Sequence, residues 1–124
     1  MAVHLELAEL DEMREERSAD GGQRSIATRV LGDLGKRPLP ATVTLRLVLH
    51  FRTEPGEDVS MATDVLSHTG ETIFSREDST RVPGNGRAVL ALDLPVTLAE
   101  PGSYTVHCTI DGTPWSQIVS LEGA

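Results

Sequence analysis

The sequence predicts an all-β fold, an antiparallel β-sandwich of seven or eight strands. Apolar residues recur with a period of two, most cleanly at Val43, Leu45, Leu47, Leu49 and Phe51 and again at Tyr104, Val106, Cys108 and Ile110. Turn signals separate the runs at short intervals, among them Pro55-Gly56, Asn85-Gly86, Pro101-Gly102 and Asp111-Gly112. No stretch holds the apolar stripe of a convincing helix. A sandwich is favoured over a closed barrel, because the runs are uneven in length and Pro-rich links suit crossovers between sheets.

Val3 to Leu10 starts as a strand, with Val3, Leu5 and Leu7 on one face; its alternation breaks at Glu9-Leu10. Asp11 to Arg24, DEMREERSADGGQR, is charged and carries Gly21-Gly22. Residues 11–24 read as a solvated, charged loop, with a helical turn over Asp11 to Arg17 as the alternative. Ser25 to Leu31 is a weaker strand, with Ile26, Thr28 and Val30 on one face. Gly32 to Pro40 is a connection that neither a helix nor a central strand would tolerate.

Ala41 to Arg52 is the longest clean strand and belongs at the centre of a sheet. Val59 to Val65 alternates next, Ser67 to Gly70 is a hairpin loop, and Thr72 to Ser75 is a short strand followed by polar residues to Arg81. In Arg87 to Leu94 the residues Ala88, Leu90, Leu92 and Leu94 face inward, and Pro95 ends the run. Leu98 to Leu121 reads as a hairpin closed by Asp111-Gly112, because both residues of that pair tolerate positive φ.

The chain has 124 residues, the size of one domain with its own core. Aromatic residues make only 3%, so the core must be Leu and Val. A net charge of −8 with no basic run argues against nucleic-acid binding and against docking on anionic lipid. A lone cysteine, Cys108, excludes an intrachain disulfide, and the acidic N-terminal segment does not read as a secretory leader, so a reducing, cytoplasmic setting is expected. No run approaches the length of a membrane span.

Leu90 to Leu121, with its Leu-rich link, Pro-Gly-x-Tyr and strand ending in Asp-Gly, resembles the end of immunoglobulin-like sandwiches. More narrowly, that stretch and Pro38 to Phe51 resemble a family of short, uncharacterised bacterial proteins of this architecture. The resemblance implies an immunoglobulin-like β-sandwich and brings no catalytic residues. It also suggests Tyr104 as a corner tyrosine, its hydroxyl bonded to nearby backbone.

No nucleophile elbow, phosphate loop, Cys-x-x-Cys or His-Glu-x-x-His occurs. His50 and His107 both fall on outward positions by parity, with Arg46 along the face from His50. If their strands are neighbours, Arg46, His50 and His107 form a patch for an anion or, with an acid, a divalent metal. Parity puts Cys108 inward, as a small buried hydrophobe. Glu54, Glu57 and Asp58 lack the alternating spacing of a calcium loop and read as a solvated turn. Trp115 reads as a packing residue at the rim of the core. The expected function is a non-enzymatic interaction or structural module, without cofactor, whose partner is a protein, a second copy of the chain (a homodimer) included. Small-ligand or metal binding near His50 and His107 is the alternative.

Overall fold

A strand buried on one face alternates strictly, and Ala41–Arg52 does so over its whole length. In the computed structural model, which describes residues 3–124, Val43, Leu45, Leu47, Leu49 and Phe51 all enter the core. Each such side chain contributes about 2 kcal/mol of burial. In chain order the strands are β1 (His4–Arg17), β2 (Gln23–Arg29), β3 (Asp33–Arg37), β4 (Ala41–Arg52), β5 (Asp58–Leu66), β6 (Thr72–Arg81), β7 (Arg87–Leu98), β8 (Gly102–Ile110) and β9 (Thr113–Gly123). They form a four-stranded sheet, β2-β1-β4-β7, and a five-stranded sheet, β3-β9-β8-β5-β6, packed as an immunoglobulin-like β-sandwich. Among the described residues there are nine strands rather than seven or eight. All pairs are antiparallel except β3 with β9, which is parallel.

The segment 11–24 is not a loop. Its two halves are the ends of β1 and β2, paired from Asp11–Arg29 to Arg17–Gln23, and only the turn around Ser18 to Gly22 lies outside a strand. Gly21 closes that turn at φ +88°, and the Asp20 carboxylate accepts the Gly22 N–H at 3.0 Å. Side-chain bonds hold the strands together: Arg29 pairs with Asp11 at 2.8 Å and Glu9 at 2.7 Å, and the Ser25 hydroxyl donates to Glu15 at 2.8 Å. The alternation is missing because both faces are largely in water.

Two other runs extend further than their sequence suggests. β7 continues through Pro95 to Leu98, because it is an edge strand and the imide nitrogen turns away from β4. β6 runs on from Ser75 to Arg81, steadied by Arg76 on Asp78 at 2.6 and 2.7 Å. Within the Gly32 to Pro40 link, Asp33–Arg37 adds a short strand, and it too is an edge.

A bulge in β1 sets the inner face of that strand. Leu5 pairs with Phe51 and Leu7 with His50, so Glu6 is an extra residue against β4. After it the parity reverses. Leu7, expected inside with Leu5, is 47% exposed, while Leu10 is 0% exposed and Glu12 is buried. Glu12 meets the guanidinium of Arg37 in a two-pronged pair that ties β1 to β3 of the other sheet. Arg37 also donates to the Leu34 carbonyl at 2.9 Å. Hydrogen bonding to Arg37 holds the Glu12 carboxyl below its ordinary range.

At the β7–β8 crossover the Tyr104 hydroxyl donates to the Glu100 carbonyl at 2.5 Å, the corner role that the sequence suggests for it. Asp111 at φ 44° and Gly112 at φ +86° form the closing turn of β8–β9.

Two stability measurements check this packing. In urea titrations Leu10→Ala should cost about 3 kcal/mol, as a filled core position, while Leu7→Ala should cost under about 0.5 kcal/mol. Equal losses would contradict the reversed parity. Removing one partner of the buried pair in Glu12→Gln should cost about 3 kcal/mol at pH 7. A lowered folded pKa stabilises above the ordinary carboxylate pKa and is lost as pH falls through the folded value. The deficit of Glu12→Gln should therefore shrink below about pH 4.5; a deficit independent of pH would refute the linkage.

Candidate functional site

The outward positions of the two sheets lie on opposite sides of the sandwich, and this separates the histidines. His50, on β4, stands in a row between Leu7 of β1 and Val89 of β7. His107, on β8, stands between Asp64 of β5 and Ser116 of β9. β4 and β8 are not neighbours, so Arg46, His50 and His107 do not form one patch. Arg46 is engaged elsewhere: its guanidinium grips Asp93 at 2.7 and 3.2 Å, which lowers the Asp93 pKa and raises its own. Among the described residues no group of three or more His, Cys, Asp and Glu is placed to hold a metal ion.

The register of the five-stranded sheet creates a row that the sequence does not advertise. Ser75, Asp64, His107 and Ser116 are successive cross-strand neighbours on its outer face. The residue types are those of an acyl-transfer triad, but the Asp64 carboxylate accepts the Ser75 hydroxyl at 2.6 Å and the row lies on an open strand surface. A groove of about 560 Å³ lies further along this face, lined by Ser60, Glu77, Ser79, Thr109 and Asp111 among others. Asp111 is committed to the turn, where its carboxylate accepts the Ser60 N–H at 3.1 Å. Cys108 is buried as expected, its thiol pushed up by burial, with the Thr63 hydroxyl donating to the sulfur at 3.4 Å. Trp115 packs half-buried against the core rim.

The sheet edges differ more than the faces do. β7 lacks a donor at Pro95, and the Asp93 carbonyl accepts Arg76 Nη1 at 2.7 Å. β6 is the strand that supplies Arg76, and it carries Glu77, Asp78 and Arg81 besides. β3 is five residues long, with an irregular register and Gly35 at φ +78°. These are devices that blunt an edge.

β2 is the least blunted of the four, its only such device being two arginines. Its seven residues, QRSIATR, contain no Pro or Lys, and Arg24 and Arg29 are drawn back to acids of β1. The bonds Val30 N–H to Leu10 O, 2.8 Å, and Ser18 N–H to Gly22 O, 2.7 Å, set the phase of the ladder. Arg24, Ile26 and Thr28 therefore bond to β1, while the N–H and C=O groups of Gln23, Ser25, Ala27 and Arg29 point to the free edge. Beyond the Met13–Thr44 pair β1 leaves β4, so the distal half of the hairpin is a two-stranded ribbon. An exposed apolar residue follows this strand: Leu31 at 88%, just before the Gly32 carbonyl that accepts Ser120 N–H. The sequence signals β2 through Ile26, Thr28 and Val30, but not that it is an edge.

The architecture is that of an immunoglobulin-like β-sandwich. No protein-family model and no curated protein sequence matches the chain. Solved structures share the fold. A glycosyl hydrolase family 2 member from Bacteroides cellulosilyticus matches with TM-score 0.62 and 9% identity over 95% of this chain and 15% of its own. A second structure of a family 2 member from that organism gives TM-score 0.58 and 7% identity over 89% of this chain and 13% of its own. A β-glucuronidase of glycoside hydrolase family 2 gives TM-score 0.54 and 8% identity over 66% of this chain and 10% of its own. At such identities the likeness is one of fold, and the chain spans 10–15% of the length of these structures.

The separation of the histidines is testable by a double-mutant cycle. His50→Ala and His107→Ala should be additive in stability within about 0.3 kcal/mol, with and without zinc. A zinc-dependent coupling energy would show that they share a site.

Proposed function

We propose that the chain is a non-enzymatic interaction module that takes a protein partner on the free edge of β2. The observation that supports this is the contrast among the four sheet edges: β3, β6 and β7 are shortened, charged or deprived of a donor, while β2 has no Pro or Lys and its two arginines pair with acids of β1. An edge with outward main-chain groups accepts an added strand, and main-chain hydrogen bonds supply the affinity. The ribbon of β1 and β2 is a further reason, because two strands alone are marginally stable in water. In the solved structures of like fold the matching segment is a small part of a longer chain, which suits a modular reading. The sequence resemblance to short bacterial proteins without catalytic residues points the same way. A reducing, cytoplasmic setting suits a chain whose one thiol is buried.

Site-specific photo-crosslinking in the native cell tests the proposal. A crosslinker at Ala27 should capture a discrete protein, a second copy included, and one at Ser116 on the opposite outer face should not. Capture from position 116 alone, or from neither position, would overturn the β2 edge as the contact site.

A further inference from the structure

We infer that the strand added to β2 is β2 of a second copy, joining two four-stranded sheets into one of eight about a two-fold axis at Ile26. The inference rests on β2 being the contact edge and adds the identity and register of its occupant.

The backbone phase comes first. The edge-facing residues are Gln23, Ser25, Ala27 and Arg29. In an antiparallel pair, hydrogen-bonded partners must both face the seam. A two-fold at Ile26 pairs Gln23 with Arg29 and Ser25 with Ala27 of the other copy, so every edge-facing residue meets an edge-facing residue. Moving the axis by one residue leaves part of the seven-residue strand without a partner.

The side chains agree with that register. Ile26 meets Ile26 on the axis as a non-hydrogen-bonded pair, the geometry that brings side chains closest. Arg24 faces Thr28 and Arg29 faces Gln23, so no like charges are opposed. Shifting the axis to Arg24 would set two guanidiniums against each other. Each ribbon of β1 and β2 gains a third and a fourth strand, which removes its marginal stability. The partly buried Ile26 is covered on the flank it leaves to water.

Sedimentation and light scattering on the purified chain should give twice the 13.4 kDa chain mass at high concentration and the single mass on dilution. Ala27→Pro removes an edge-facing donor without touching the ladder to β1, and it should weaken dimerisation roughly a hundredfold, with two seam bonds lost by symmetry. Ile26→Cys should form an intermolecular disulfide under mild oxidation, because non-hydrogen-bonded antiparallel pairs lie at about 4.5 Å between Cα atoms. Ser116→Cys should not, and this readout stands even if Ala27→Pro fails to fold. A chain that stays monomeric at every concentration, or a dimer unaffected by Ala27→Pro with Ile26→Cys uncrosslinked, overturns the inference. If that occurs while crosslinking from Ala27 in cells captures a different protein, the interaction-module reading survives and only the second copy as occupant falls.

Discussion

β1 runs between β2 and β4, so both neighbours inherit its phase. One extra residue, Glu6, sets that phase. Before the bulge Leu5 faces the core beside Phe51; after it Leu10 and Glu12 do, and Glu9 and Asp11 turn outward. Had the alternation run on unbroken, two carboxylates would point into a Leu-Val core, at a cost of several kcal/mol each. The bulge avoids this and admits one acid, Glu12, at the margin, where Arg37 of the opposite sheet meets it. The phase carries across to β2, whose odd-numbered backbone groups are left facing outward.

The same reversal organises the outer face of the four-stranded sheet. Arg29, Asp11, Arg46 and Asp93 lie in one row across β2, β1, β4 and β7, alternating in sign. Arg46 bonds to Asp93 and Arg29 to Asp11, and Arg76 reaches over the edge to the Asp93 carbonyl. Exposed pairs of this kind contribute little to stability. Their placement matters more than their sum: the charges of β2 are satisfied by its own hairpin partner, so the strand edge is free of repulsion.

Strands with one buried face were legible in the sequence. β4, β5, β8 and the Asp111-Gly112 turn follow from alternation and turn chemistry, and the inward sets agree residue for residue with the core. The bulge left no such mark, because a single inserted Glu looks like any other position on a charged strand. The ribbon of β1 and β2 was illegible for the opposite reason: with water on both faces there is no alternation to read. Strand order was also out of reach. His50 and His107 have the parity expected of them, but which strands become neighbours depends on contacts distant in the chain. For that reason the sequence suggested a histidine patch and hid the row of Asp64, His107 and Ser116.

Amide hydrogen exchange along β2, followed by NMR, tests the central claim that the phase set in β1 leaves the odd-numbered groups of β2 at its free edge. In dilute solution the N–H groups of Arg24, Ile26 and Thr28 should exchange slowly and those of Ser25 and Ala27 rapidly, with the latter slowing as concentration rises. The reverse pattern, with Ser25 and Ala27 protected in the dilute chain while Ile26 and Thr28 exchange freely, would contradict the account.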